Sequence, residues 1–180
     1  MPAISLKASD CTLLVIDMQA RLLPAIHDGE AVLAATLKLA RAARLLDIPV
    51  VGTEQQPGKL GATVPELAGA LQAVLAKTHF SAAREPGFEA WLPPGRRTVL
   101  VAGVEAHVCV LQTLLDLRQR GWQVALVSDA VGSRRPSDHH AASRRARAGG
   151  ADIVSAEMAI FEWMETCEHP RFREVLRLVK

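Results

Sequence analysis

The sequence predicts an α/β fold, a three-layer αβα sandwich around a mostly parallel, Rossmann-like sheet. Two observations predict it. Short runs of aliphatic and β-branched residues alternate with longer segments whose apolar residues recur at helical spacing. The short runs also lack polar alternation, as strands buried on both faces do. The pattern holds along the 180 residues without an internal repeat, low-complexity tract or dividing linker. Residues 1–180 therefore read as a single domain, long enough to bury a sizeable core.

The elements follow in order. Residues 12–17 (TLLVID) form the first strand. From Glu30 to Leu46, Leu33, Leu37, Ala40 and Ala43/Leu46 fall on one helical face, with Lys38, Arg41 and Arg44 on the other. Residues 48–53 (IPVVGT) form a second strand, entered through a proline that an interior strand position would not tolerate. TEQQPGKLGATVPEL, 53–67, is rich in turn signals and leads to a helix of about ten residues ending near Lys77. The irregular SAAREPGFEAWLPPGRR precedes the strongest strand, TVLVAGV at 98–104. A helix to Gly121, a strand at 123–129, a helix across 138–148 closed by Gly149-Gly150, and a short strand ADIVSA come next. The segment 157–178 is helical with a break around Cys167–Pro170. Such a βα succession builds a parallel sheet with right-handed crossovers. The two loops flanking Lys77 exceed the usual length, and long loops tend to be functional.

Composition narrows the function. Hydrophobic residues are 49% and charged residues 22%, the balance of a globular chain. The 21 Lys+Arg against 19 Asp+Glu leave +2, which argues against a dedicated nucleic-acid binder. No apolar run approaches the ~18 residues of a membrane span. MPAISLKASD does not resemble a secretory signal. Three scattered cysteines, at 11, 109 and 167, fit neither a disulfide framework nor a zinc site and point to a reduced, cytoplasmic protein. GxGxxG and GxxxxGK[ST] are both missing, so no nucleotide cofactor is expected.

Ligands of open α/β sheets bind beyond the carboxyl ends of the strands. Those ends offer Asp17, Glu54, the run Glu105-Ala106-His107-Val108-Cys109, and Asp129. Cys109 falls in the opening turn of a helix, where unpaired amides and the helix dipole favour a thiolate. Two readings stand: a nucleophile with a pKa below ~8.5, or a small apolar residue packing helix on sheet. Cys11 and Cys167 have no such setting. His107 is two residues from Cys109 and cannot face it on one helix. Asp17 serves either as the base or as a turn cap. Lys77, at a helix end, suits the dipole there, and His79 reads as a loop residue. His139 and His140 are adjacent and cannot converge on one metal. The arginines at 134, 135, 144, 145 and 147 form a basic face, either solvated or touching an anionic substrate or partner.

Over nearly its whole length the chain resembles the isochorismatase-like cysteine hydrolases, and four stretches carry the resemblance. They are LLVIDMQ at 13–19, AKTHFSA at 76–82, AGVEAHVCVLQTLLDLRQRGWQVALVSDAVGSR at 102–134, and TEQQPGKLGATVPEL at 53–67. The last is similar to the small, poorly characterised branch of that superfamily. The resemblance implies a catalytic triad of Asp17, Lys77 and Cys109. It also implies a cis peptide between Val104 and Glu105, and an oxyanion hole built from the backbone N–H groups of Glu105 and Cys109. A small-molecule amide or similar acyl substrate, a covalent thioester and a homo-oligomeric assembly are implied with them. Nicotinamidases of the superfamily bind a metal through Asp-x-His and further histidines after the second strand. TEQQPGKLG has no histidine there, so neither metal nor other cofactor is expected. The competing class is a non-hydrolytic binding or redox-responsive module with Cys109 as an oxidisable thiol. In AIFEWMETC, 159–167, Phe161, Trp163 and Met164 form either an exposed stripe for a second copy or a face packed on the chain's own sheet.

Overall fold

Leu13 and Val15 pack into the core on one side of the sheet and Leu14 and Ile16 into the core on the other. This two-sided burial explains the missing polar alternation and defines three layers. The computed structural model describes residues 5–180. Its elements are β1 (Cys11–Ile16), α1 (Gly29–Leu45), β2 (Val50–Gln55), α2 (Pro57–Leu60), α3 (Pro65–Ala68), β3 (Ala73–Lys77), α4 (Phe88–Trp91) and β4 (Thr98–Val104). After a π-helical turn at Ala106–Val110 come α5 (Leu111–Gln119), β5 (Gln123–Gly132), α6 (Pro136–Ala148), β6 (Asp152–Val154), α7 (Ala156–Met164) and α8 (Phe172–Val179). The strands form one parallel sheet in the order β3-β2-β1-β4-β5-β6. Residues of α1, α7 and α8 pack into one core; residues of α5 and α6 pack into the other.

The chain runs outward from β1 to β3, then crosses back to β4 and runs the other way. The strand order therefore switches between β1 and β4, and a doubly wound sheet opens a crevice at that point. Ile16, the last residue of β1, pairs with Gly103 near the end of β4. Gly103 has φ +111°, and a Cβ there would meet the Ile16 carbonyl oxygen. Only glycine lets the two central strands approach this closely.

The expected helix ending near Lys77 is not formed. Residues 73–77 are the strand β3, paired with β2 from Val51↔Ala73 to Gln55↔Lys77. Five mostly aliphatic residues cannot distinguish the two periods, and pairing with β2 decides the outcome. The sheet accordingly has six strands, one more than the sequence suggests. The exposed-stripe reading of Phe161, Trp163 and Met164 is also corrected, because Trp163 and Met164 are buried in the core beneath α7. Phe161 and Met158, one turn apart, are the exposed pair. Among the described residues no helix is long and apolar enough to cross a membrane.

Candidate active site

Asp17 leaves β1 with φ +49°, a left-handed conformation that aspartate tolerates better than most residues. Its amide bonds the Thr53 carbonyl at 3.1 Å, and its Oδ1 accepts from Thr53 Oγ1 at 2.7 Å. Its Oδ2 lies 2.8 Å from Lys77 Nζ, and both side chains are 0% exposed. A buried ion pair persists only where hydrogen bonds compensate its lost hydration. Lys77 has them: Nζ donates to Gln55 Oε1 at 2.6 Å and to the carbonyls of Phe80 at 3.1 Å and His79 at 3.3 Å. Asp17 Oδ2, by contrast, is buried and receives no directed hydrogen bond from Lys77. Its contact with Lys77 is a charge–charge contact without the geometry of a directed hydrogen bond.

The loop after β3 presents those carbonyls because Glu85 pins it. Glu85 Oε1 accepts from the amides of Thr78 at 2.6 Å and His79 at 2.7 Å, and lies 3.0 Å from His79 Nδ1. Burial works to raise the Glu85 carboxyl, but the His79 and Thr78 amides and the His79 ring outweigh it and hold it at about 2. Farther along, Arg84 grips Asp116 of α5 at 2.6 and 3.2 Å. The Arg84 bond holds the Asp116 carboxyl below its ordinary range. Thr113 Oγ1 accepts from the Ala82 amide at 2.9 Å and donates to the Cys109 carbonyl at 2.7 Å. The loop carrying the Lys77 acceptors and the turn carrying Cys109 are thereby joined.

Cys109 lies in the π-helical turn after β4, 6% exposed. Burial pushes its thiol up to about 12; the Asp17 charge adds to the rise, and the Lys77 charge opposes it. The expectation of an acidified thiol is therefore corrected. Lys77 is balanced by Asp17, so little positive potential is left to offset desolvation. Cys11 is buried too and raised to about 11, first by burial, whereas Cys167 is exposed.

The Val104–Glu105 peptide is cis. The Glu105 carbonyl accepts from the amides of Val108 and Val110, which close the π turn. The Glu105 carboxylate bonds Arg134 through its Nε at 3.0 Å and its amide at 3.1 Å. His107 points elsewhere, with Nδ1 3.0 Å from Ser133 Oγ and Nε2 3.9 Å from Asp138 Oδ2. His139 contacts the Ser128 carbonyl at 3.1 Å. Among the described residues, no cluster of three or more His, Cys, Asp or Glu could hold a metal. Sequence reasoning assigned no role to Thr53 and Gln55, although each contacts the ion pair. Their signal was available: in VVGTEQ, Thr53 and Gln55 occupy alternate positions at the carboxyl end of a strand and so share one face.

Fold and site together define a doubly wound α/β protein with a desolvated carboxylate, ammonium and thiol grouped beyond its topological switch point. The chain belongs to the isochorismatase family, whose Isochorismatase domain model matches residues 11–158. Isochorismatase domain-containing protein 1 of Danio rerio is 42% identical over 168 residues, covering 91% of this chain and 59% of its own length. The chain thus spans well under two thirds of that relative. Among solved structures, the MAR1 ribonuclease of Caenorhabditis elegans superposes with a TM-score of 0.92 at 36% identity, over 98% of this chain and 92% of that one. YcaC from Pseudomonas aeruginosa, solved with hexane-2,5-diol and covalent acrylamide, gives 0.91 at 26% identity, over 99% and 93%.

Proposed function

We propose that the protein is a cysteine-nucleophile hydrolase acting on a small amide or similar acyl compound. The observation that carries this reading is the solvent-free Asp17–Lys77 pair at 2.8 Å, whose charges both act on the Cys109 thiol. In the proposed reaction Asp17 Oδ2 takes the Cys109 proton as Sγ attacks the substrate carbonyl. The amides of Glu105 and Cys109 stabilise the oxyanion, worth roughly 3–4 kcal/mol per donor in other hydrolases. The C–N bond then breaks, and protonated Asp17 gives its proton to the departing amine. A thioester remains on Cys109. Asp17 next deprotonates a water, which attacks the thioester and releases the acid and the thiol. Lys77 keeps its proton throughout and holds the Asp17 charge in place.

The covalent acrylamide in the Pseudomonas structure supports a small amide as the ligand class. The ribonuclease name of the C. elegans neighbour points instead to RNA. RNA cleavage through the 2′-hydroxyl needs proton transfer at that hydroxyl and at the leaving oxygen, and gives a thiol nucleophile no part. The three free cysteines suit a reducing, cytoplasmic location. The exposed Val74, Phe80, Met158 and Phe161 suit a homo-oligomer.

The test is a panel of small amides, ureides, vinyl ethers and an RNA oligonucleotide, assayed with wild type and Cys109→Ala. Turnover of an amide that Cys109→Ala abolishes, with an acyl adduct on Cys109 by mass spectrometry, is the expected result. Vinyl-ether or RNA cleavage that survives Cys109→Ala would overturn it. Absence of any turnover, with reversible oxidation of Cys109, would favour the binding or redox module.

A further inference from the structure

An ammonium carries three protons. Those of Lys77 are matched by three acceptors: Gln55 Oε1 at 2.6 Å, the Phe80 carbonyl at 3.1 Å and the His79 carbonyl at 3.3 Å. Asp17 Oδ2, at 2.8 Å, is near the charge but receives no proton from it. A carboxylate oxygen that is buried, charged and unbonded is costly, and such an atom in a native structure calls for an explanation. Gln55 provides one, since it forms the shortest of the three ammonium bonds. If it were missing, the freed proton could turn to Asp17 Oδ2, the nearest unbonded acceptor.

We propose that Gln55 is a positioning residue: by taking one proton of Lys77 it keeps Asp17 Oδ2 open to accept the proton of Cys109. The inference rests on the reading of Asp17 as the base. The amide of Gln55 is held in the orientation this task requires. Its Nε2 donates to the Thr78 carbonyl at 2.9 Å, which turns Oε1 toward the ammonium. Its backbone is clamped in turn by Gln19. Gln19 Oε1 accepts from the Gln55 amide at 2.8 Å, and Gln19 Nε2 donates to the Gln55 carbonyl at 3.1 Å and the Gly61 carbonyl at 2.6 Å. Because the Gln19 amide also bonds the Asp17 carbonyl at 2.7 Å, the ends of β1, β2 and β3 are fixed as one unit.

The test uses acrylamide as the probe, so it needs no knowledge of the substrate. In this addition the Sγ–C bond forms at the terminal alkene carbon while the C=C π bond breaks. The thiol proton passes by way of Asp17 to the other alkene carbon. Site-resolved mass spectrometry follows the labelling of Cys109 against pH, with exposed Cys167 as internal control. Gln55→Met keeps the volume and removes the acceptor, while Gln55→Asn withdraws it by one methylene. Both are expected to slow Cys109 labelling at neutral pH by about tenfold, a small part of what base catalysis supplies, and to leave Cys167 unchanged. Residual labelling should then rise about tenfold per pH unit through the neutral range, as for an unassisted thiolate, where wild type shows a plateau before climbing at high pH. Gln55→Glu restores an acceptor and should stay within about threefold of wild type, a margin small beside that of base catalysis.

Wild-type rates and plateau in Gln55→Met or Gln55→Asn would overturn the proposal. So would equal slowing in folded Gln55→Glu, which would reduce Gln55 to its bond with Thr78. If Gln55→Met does not fold by circular dichroism, Gln55→Asn decides. A wild type that turns over no amide, yet shows this labelling pattern, would sink the hydrolase reading and leave the role of Gln55 standing. Turnover lost in Cys109→Ala but labelling indifferent to Gln55 would do the reverse.

Discussion

Asp17 Oδ2 stands 2.8 Å from Lys77 Nζ, with neither side chain reached by solvent. Such a pair need not stabilise the fold relative to apolar residues of the same size. Breaking it, however, strands a charge in the interior, typically at about 3–5 kcal/mol. Lys77→Ala should therefore lower unfolding free energy by about that amount in equilibrium urea titrations. A loss below about 1 kcal/mol would mean that water reaches Asp17 once the lysine is removed, as at an exposed pair.

Thiol chemistry should follow burial. At neutral pH iodoacetamide should modify exposed Cys167 before Cys109. An ordinary thiol, with a pKa near ~8.5, reaches its full rate by about pH 9.5. Cys109 is pushed up to about 12, so beyond that point, where unassisted thiolate attack overtakes the Asp17-assisted path, its labelling should still climb. The same rise links to stability: while folded Cys109 stays neutral, the unfolded thiol ionises above about pH 9, and its contribution fades from there toward 12. Wild-type melting temperature should fall more steeply over this window than that of Cys109→Ala.

Gly103 gives the sheet its closest approach beside the site. Alanine there would place Cβ against the backbone of Ile16, the residue before Asp17, at φ +111°. Gly103→Ala should cost about 3 kcal/mol or more, or abolish folding, because backbone rather than a flexible side chain must yield. Gly58, whose added Cβ would meet nothing within 4 Å, is the control and should change little on the same substitution. Equal melting temperatures for the two variants would refute the account.

The fold was legible where strands are long or wholly buried. β1 and β4 read clearly because every residue in them is buried, so each stands out as an unbroken apolar run. β3 did not, since five residues at a sheet edge carry no period and their pairing with β2 is invisible in one dimension. The resemblance pointed to Asp17, Lys77 and Cys109, and strand-end logic had already singled out Asp17 and Cys109. Neither could place Lys77 on a strand or foresee that Gln55 would meet its ammonium. That contact depends on the β2–β3 register, Gln55↔Lys77. The thiol was misjudged for a related reason. Helix start and lysine are visible in the sequence, but the depth of burial that outweighs them is not.

Glu85 makes the loop after β3 sensitive to acid. Its carboxyl is held at about 2, below the ordinary 4.5, so its ionised form favours the folded state. The contribution is full above about pH 4.5 and disappears as pH falls toward 2. Glu85→Gln should thus be less stable than wild type near neutrality, and the gap should close on acidification. A gap independent of pH would assign the effect to packing. Amide exchange of residues 78–85 should accelerate in the variant, since Glu85 holds the Thr78 and His79 amides.

The sharpest prediction concerns Asp17 and Lys77 as one unit with Cys109. Asp17→Asn preserves shape but removes the proton acceptor, so turnover should fall by ~10²–10⁴ while binding of a substrate analogue changes far less. Lys77→Ala should also lower turnover and move the pH dependence of Cys109 labelling upward, because the positive charge of Lys77, which opposes thiol protonation, is lost. The double variant should lose little more than the worse single one, as residues sharing a step are strongly non-additive. It also removes both buried charges, so it should be more stable than either single variant. Fully additive losses in turnover would mean that the two residues serve separate steps. Near-normal turnover in Asp17→Asn would remove it as the base. His107, already 3.0 Å from Ser133, and Glu105, already bonded to Arg134, would each have to leave a partner to replace it.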